Sequence, residues 1–132
     1  MRIFDHMKKN NKISVVIPCY KCSDFLVDLH RRLVLCLKQI TEDYEIIFVN
    51  DDSPEHDWQI IKELAGKDER VRGINLSRNF GQHYAITAGL NYCDGDWIVV
   101  MDGDLQDQPE EIKKLFEKTY DGYEIVVGKR EN

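Results

Sequence analysis

At 132 residues the chain is long enough for one ordinary core and too short for two. Apolar residues make up 42% of it and charged residues 32%, the balance of a folded globular protein and not of a disordered one. Eighteen Lys and Arg against 24 Asp and Glu leave a formal net charge of −6, which argues against a nucleic-acid binder, whose surface needs a basic stripe.

In chain order, residues 1–11 read as a polar tail without the apolar stretch or cleavage site of a signal peptide, and 12–132 as one folded domain. Ile13 to Pro18 is a β-branched run closed by proline, hence a buried strand. Behind Ser23 as N-cap, Phe25, Leu29, Leu33 and Leu37 recur every four residues, with Leu26 and Ile40 on the same side, which predicts an amphipathic helix. Glu45 to Asn50 is a second strand. Ser53-Pro54 then offers a cap and a first helical residue before Trp58, Ile61 and Leu64.

Val71 to Leu76 predicts a third strand, followed by a helix over Gln82 to Tyr92 whose Ala85, Ala88 and Gly89 form a small-residue face. Trp97 to Met101, five apolar residues in a row, is the pattern of a central strand covered on both sides. No apolar run is longer than these five residues, far short of the roughly 20 a membrane span needs. Asp107 is positioned to cap a last helix with Ile112, Leu115, Phe116 and Thr119 inward, and Glu124 to Val127 predicts a fifth strand. Strand alternating with helix, through connections too long for hairpins, predicts a parallel-sheet α/β sandwich with right-handed crossovers.

Cys19 and Cys22 form a C-x-x-C pair, but no second pair or His ligands stand at zinc-site spacing, so all four cysteines, with Cys36 and Cys93, read as reduced packing or loop residues. His6, His30, His56 and His83 share no spacing and read as solvated. Glu110, Glu111, Lys113 and Lys114 read as the outer face of the last helix.

In such a sheet ligands gather beyond the carboxyl ends of the strands. Those ends are Pro18-Cys19-Tyr20, Asn50-Asp51-Asp52-Ser53, Ser77-Arg78-Asn79-Phe80-Gly81, Asp102 to Asp107 and Gly128-Lys129-Arg130. Asp51, Asp52, Asp102 and Asp104, taken as lying on neighbouring strand ends, raise one another's pKa unless a divalent cation relieves the repulsion. Asp102-Gly103-Asp104 can turn two carboxylates toward one Mg²⁺ or Mn²⁺, which completes its shell with water and substrate phosphate oxygens, implying a diphosphate substrate. The bland reading is that Asp102 and Asp104 are turn residues. Arg78 either braces its loop through Asp51 or Asp52 or touches ligand, and Tyr20 either covers a sheet edge or binds.

The segments from Val15 to Tyr20, Phe48 to Pro54, Leu76 to Gly81 and Met101 to Asp107 together resemble the successive signatures of inverting family 2 glycosyltransferases with the GT-A fold. The branch they resemble comprises dolichol-phosphate-mannose synthases and undecaprenyl-phosphate glycosyltransferases. Gly122 to Arg130 also resembles that branch's strand segment. The resemblance implies the Rossmann-like, nucleotide-sugar-binding half of the fold, shortened at its C-terminal end. It implies Pro18 and Tyr20 at the base and ribose, Asp51 or Asp52 reading the base, Gly103 beside the donor, and Arg130 facing phosphate. Asp102, Asp104 and Gln106 would hold Mg²⁺ or Mn²⁺, and Arg78 and Asn79 match an R-N-x-G turn that holds the nucleotide loop. Three positions depart from the pattern: Asn50 replaces the first of two aspartates, Asp52 stands where glycine is usual, and Gln108 replaces the first of two prolines, a change expected to be silent.

The implied reaction is sugar transfer from a nucleotide diphosphate sugar, UDP-sugar before GDP-mannose, to a polyprenyl phosphate or glycan. The expected setting is cytoplasmic, at the inner face of the membrane. No catalytic base is evident; Asp107 is the first residue to suspect. Two other readings compete. A haloacid-dehalogenase-like phosphatase would use Asp102 as nucleophile and Asp104 as acid, but places that strand first in its chain. A phosphoacceptor receiver module fits the length, but its acidic residues belong on other strands.

Overall fold

The computed structural model describes residues 1–5, 12–122 and 125–127. Six strands, β1 (Arg2–Asp5), β2 (Ile13–Cys19), β3 (Tyr44–Asn50), β4 (Val71–Asn75), β5 (Trp97–Val100) and β6 (Ile125–Val127), form one sheet in the order β4-β3-β2-β5-β1-β6. Between them lie α1 (Leu26–Lys38), α2 (Asp57–Lys67), α3 (Gln82–Tyr92) and α4 (Glu111–Thr119). β2, β3, β4 and β5 pair in parallel, as alternating strands and helices dictate. β1 pairs antiparallel with both β5 and β6, so the sheet is mixed where a wholly parallel one was expected.

The polar tail is thus corrected in part. Ile3 is fully buried, and the β1 backbone satisfies the flank of β5, whose N–H and C=O groups would otherwise face an open edge. Two apolar residues, Ile3 and Phe4, between Arg2 and Asp5 are too short a pattern to announce a strand.

The sheet separates two apolar layers, because successive side chains on a strand point to opposite faces. Val15, Ile17, Ile46, Phe48, Val99 and Met101 face α1, α2 and α4. Val16, Ile47, Val49, Ile98 and Val100 face α3. On α1 the buried stripe is Leu26, Leu29, Leu33 and Leu37, each fully buried and each stabilising by roughly 1.5–3 kcal/mol; Phe25, expected in that stripe, is 36% exposed. The small-residue face of α3 is present, and a Cβ on Gly89 would collide with Val16 Cγ1, so glycine lets α3 lie directly on β2.

Three expected caps are used elsewhere. α1 begins at Leu26 and α2 at Asp57, neither with a side-chain cap. Ser23 Oγ donates to Asp57 Oδ1 (2.8 Å) and accepts the His56 N–H (2.9 Å). Ser53 Oγ donates to the same oxygen (2.9 Å) and accepts the Lys21 N–H (3.0 Å), while the Cys22 N–H donates to Asp57 Oδ2 (2.9 Å). The two serines knit the loop after β2 to the loop after β3 around a fully buried carboxylate. α4 begins at Glu111, and Asp107 does not cap it. His30 is not simply solvated either, since its Nε2 lies 2.8 Å from Asp68 Oδ2.

Candidate active site

The chain runs from β2 outward through β3 to β4, then crosses to β5 on the other flank of β2. The order reverses there, and a crevice opens beyond the carboxyl end of β2, the place where α/β sheets bind ligands. The two acidic strand ends are therefore not neighbours: β2 lies between the ends of β3 and β5. Strand order is not written in the local pattern, which is why they were read as adjacent.

The crevice is a cavity of about 470 Å³, within the roughly 300–1,000 Å³ of small-molecule sites. Its lining includes Pro18, Tyr20, Asp51, Asn79, Asp102, Gly103, Asp104 and Gln106. Tyr20, 45% exposed, directly follows the interior strand β2, which removes the sheet-edge reading. Asp52 and Arg78 stand outside the wall. Asp52 has φ +51°, a left-handed backbone that explains why glycine is usual there and which Asp tolerates better than most residues. Arg78 neither braces Asp51 nor Asp52; its guanidinium lies 4.6 Å over the Phe80 ring. Arg130 lies outside the described residues.

Asp51 is buried, and its charge is absorbed by two backbone donors: Phe80 N–H to Oδ1 (2.9 Å) and Gly81 N–H to Oδ2 (3.1 Å). Asn50 is structural, its amide donating to Asn75 Oδ1 (2.8 Å) and its Oδ1 accepting the Ser53 N–H (3.2 Å). No cation is needed to separate Asp51 from Asp102, since each has its own partners.

Asp102 Oδ1 accepts a hydrogen bond from Gln82 Nε2 (2.8 Å), and its backbone N–H donates to Asp107 Oδ2 (3.0 Å). Asp104 Oδ1 accepts the Gln106 N–H (3.2 Å). Between them Leu105 has φ +62°, a strained conformation for a bulky side chain. Gln108 is not silent: its Nε2 donates to the Leu105 carbonyl (2.8 Å) and its Oε1 accepts from Arg32 Nη2 (2.5 Å). Arg32 also grips Glu110, which is accordingly more than a solvated helix residue. Asp107 is buried behind this turn, in the wall of a smaller cavity, with Oδ1 3.3 Å from the α-amino group of Met1. It braces the turn and does not face the main cavity.

Cys19 and Gly81, placed at strand ends by the sequence but given no role there, also line the wall, as do Gln82 and Cys22, which the sequence did not place there. Burial pushes the Cys22 thiol up to about 11, and raises that of Cys19 well above its ordinary value, so both are protonated at neutral pH. Among the described residues no three His, Cys, Asp or Glu side chains converge on one point. The turn offers two carboxylates and the Gln106 amide along one wall, which fits a hard cation that takes its other ligands from water and a substrate's phosphates.

The Rossmann-like sheet with an acidic turn beside its switch point has the architecture found in GT-A folds. A sequence model of glycosyl transferase family 2 matches residues 14–132, and the chain belongs to that family of transferases. It is 42% identical over 126 residues to the undecaprenyl-phosphate 4-deoxy-4-formamido-L-arabinose transferase of Proteus mirabilis, a match covering 95% of this chain and 39% of that one. The chain thus spans about two fifths of the length of that relative. S. aureus TarS superposes with a TM-score of 0.67 at 23% identity over 84% of this chain and 32% of its own. In complex with UDP it gives a TM-score of 0.61 at 21% identity, over 80% and 33%. The mannosyltransferase PcManGT of Pyrobaculum calidifontis, in complex with GDP-Man and Mn²⁺, gives 0.65 at 15% identity, over 74% and 28%. These structures establish the fold, and the family sets aside the phosphatase and receiver readings.

Proposed function

We propose that the chain carries the donor-binding half of a metal-dependent, inverting glycosyltransferase that moves a sugar from a nucleoside diphosphate sugar to a polyprenyl phosphate. One observation carries this reading: the Pro18–Tyr20 segment, Asp51 and the Asp102-Gly103-Asp104 turn line a single cavity. The lipid acceptor follows the Proteus mirabilis relative, and the donor class follows structures holding UDP or GDP-Man. Such an acceptor and a soluble donor meet at the cytoplasmic face of a membrane.

Pro18 and Tyr20 line the place for base and ribose. Asp51 rather than Asp52 reads the base, because Asp51 reaches the cavity and its two amide bonds leave carboxylate lone pairs to spare. Asp102, Asp104 and Gln106 hold Mg²⁺ or Mn²⁺, which when bound neutralises the charge that builds on the departing diphosphate. Attack on the face opposite the leaving group inverts the anomeric centre. A phosphate acceptor, with a second pKa of about 6, arrives ionised, so the burial of Asp107 does not deprive the reaction of a nucleophile.

The test is a thermal-shift panel of UDP, GDP, TDP and CDP with Mn²⁺, Mg²⁺ or chelator, since ligands of the native state raise its melting temperature. A shift with one base that needs metal is expected. The same shift in chelator, or none with any nucleotide, rejects the reading.

A further inference from the structure

Gln82 belongs to none of the strand-end motifs, yet it stands between the two cavities and lines both. We infer that Gln82 is a positioning residue for the cation site, its side-chain amide setting the direction of the Asp102 carboxylate. The inference rests on the reading of Asp102 and Asp104 as metal ligands.

The placement of Gln82 is determined from below. The buried Asp51 carboxylate holds the Phe80 and Gly81 amides, and Gly81, with φ +98°, turns the chain into α3. Ala85 N–H closes the first turn on the Gly81 carbonyl (3.1 Å). Gly89 lies against Val16 and Ala85 is buried over Ile47 and Val49, so α3 cannot slide along the sheet. The first residue of a helix fixed in this way is set over Asp102, with Nε2 2.8 Å from Oδ1. An ionised carboxylate only accepts hydrogen bonds, so the amide must present its nitrogen.

The backbone of Asp102 is held on its other side by Asp107. Carboxylate and backbone thus each have an anchor, from α3 and from the segment before α4. A neutral donor suits the task, since it occupies one lone pair and adds no positive charge to compete with a cation. α3 carries no acidic residue in its first turn and no basic residue in its last. Groups that orient a metal ligand typically matter about 10- to 100-fold in metal affinity.

The experiment titrates Mn²⁺ alone into the whole chain, reading the free ion by electron paramagnetic resonance, for the wild type, Gln82→Ala, Gln82→Glu and Asp104→Asn. Metal-free melting temperatures are measured alongside. Gln82→Ala should bind Mn²⁺ about 10-fold more weakly with its melting temperature unchanged. Gln82→Glu should bind it more tightly than Gln82→Ala, because a carboxylate there adds attraction for the cation while losing the donor. Equal affinity in the wild type and Gln82→Ala, or an equal loss in both Gln82 variants, overturns the assignment of Gln82 if Asp104→Asn still weakens binding. Unchanged affinity in Asp104→Asn removes the metal reading itself, and this inference with it.

Discussion

Cys22 lies against Gly103: a Cβ on Gly103 would stand 3.1 Å from Cys22 Sγ. The acidic turn therefore rests on a thiol of the C-x-x-C pair, with Ile17 Cγ2 and the Pro18 carbonyl closing the other sides at 3.3 and 3.4 Å. Gly103→Ala should destabilise the fold by about 1–2 kcal/mol through overpacking. Adding Cys22→Ala should recover part of that loss, so chemical denaturation of the two single variants and the double should give a favourable coupling. Strict additivity would show that the two residues do not press on one another.

The thiols themselves should be inert. Cys19 and Cys22 are buried and Cys36 and Cys93 half-buried, and burial raises the thiol pKa of all four. Ellman's reagent on the native protein should titrate Cys36 and Cys93 first, and all four only after unfolding. Metal analysis should find no stoichiometric zinc. Rapid reaction of Cys22 in the native state would contradict the depth of its burial.

At the opposite end of the strands Glu45, 6% exposed, accepts from Ser14 Oγ (2.6 Å), Arg72 Nη1 (3.0 Å) and the Asp94 N–H (2.9 Å). It ties β2, β4 and the entry to β5 to the start of β3. Glu45→Ala strands an arginine, a hydroxyl and an amide, and should cost roughly 3 kcal/mol. Because the site lies beyond the other end of the sheet, UDP or GDP affinity measured by calorimetry below the melting range should not change. A parallel fall in affinity would mean that the two ends of the sheet are coupled.

Asp68 carries a pH signature. Burial works to raise its pKa, but hydrogen bonds from His30 and the Arg70 N–H outweigh it and hold the carboxyl below its ordinary 3.8. A depressed folded-state pKa adds stability that is present above the ordinary value and is lost as pH falls through the lower one. The stability difference between the wild type and Asp68→Asn should therefore be full near pH 5 and shrink below about pH 4. Urea midpoints across that range check it; a difference independent of pH would remove the carboxylate from the account.

The parallel strands and all four helices were legible because their signal is local: β-branched runs for β2 and β3, a four-residue period for α1, small residues for α3. The site was legible for a similar reason, since polar residues at strand ends have one place to go in an α/β sheet. What failed was non-local. Ser23, Ser53 and Asp107 have the chemistry of helix caps, and spend it across loops on Asp57 and on the Asp102 amide. Gln108 looked like a neutral replacement for proline until its amide was found between Arg32 and the Leu105 carbonyl. Gln82 left no sequence signal, because a glutamine at the start of a helix is ordinary until the residue it faces is known.

The strand that the sequence hid also sets an order of events. Arg2 of β1 lies opposite Val100 of β5 on one side and Val127 of β6 on the other, both far from it in sequence. The parallel strands β2, β3 and β4 pair with neighbours much closer in sequence. Contacts of such long sequence separation form late, after the loop-closure entropy has been met. Hydrogen exchange during refolding should accordingly protect β3 before β1, with β1 the last strand to dock.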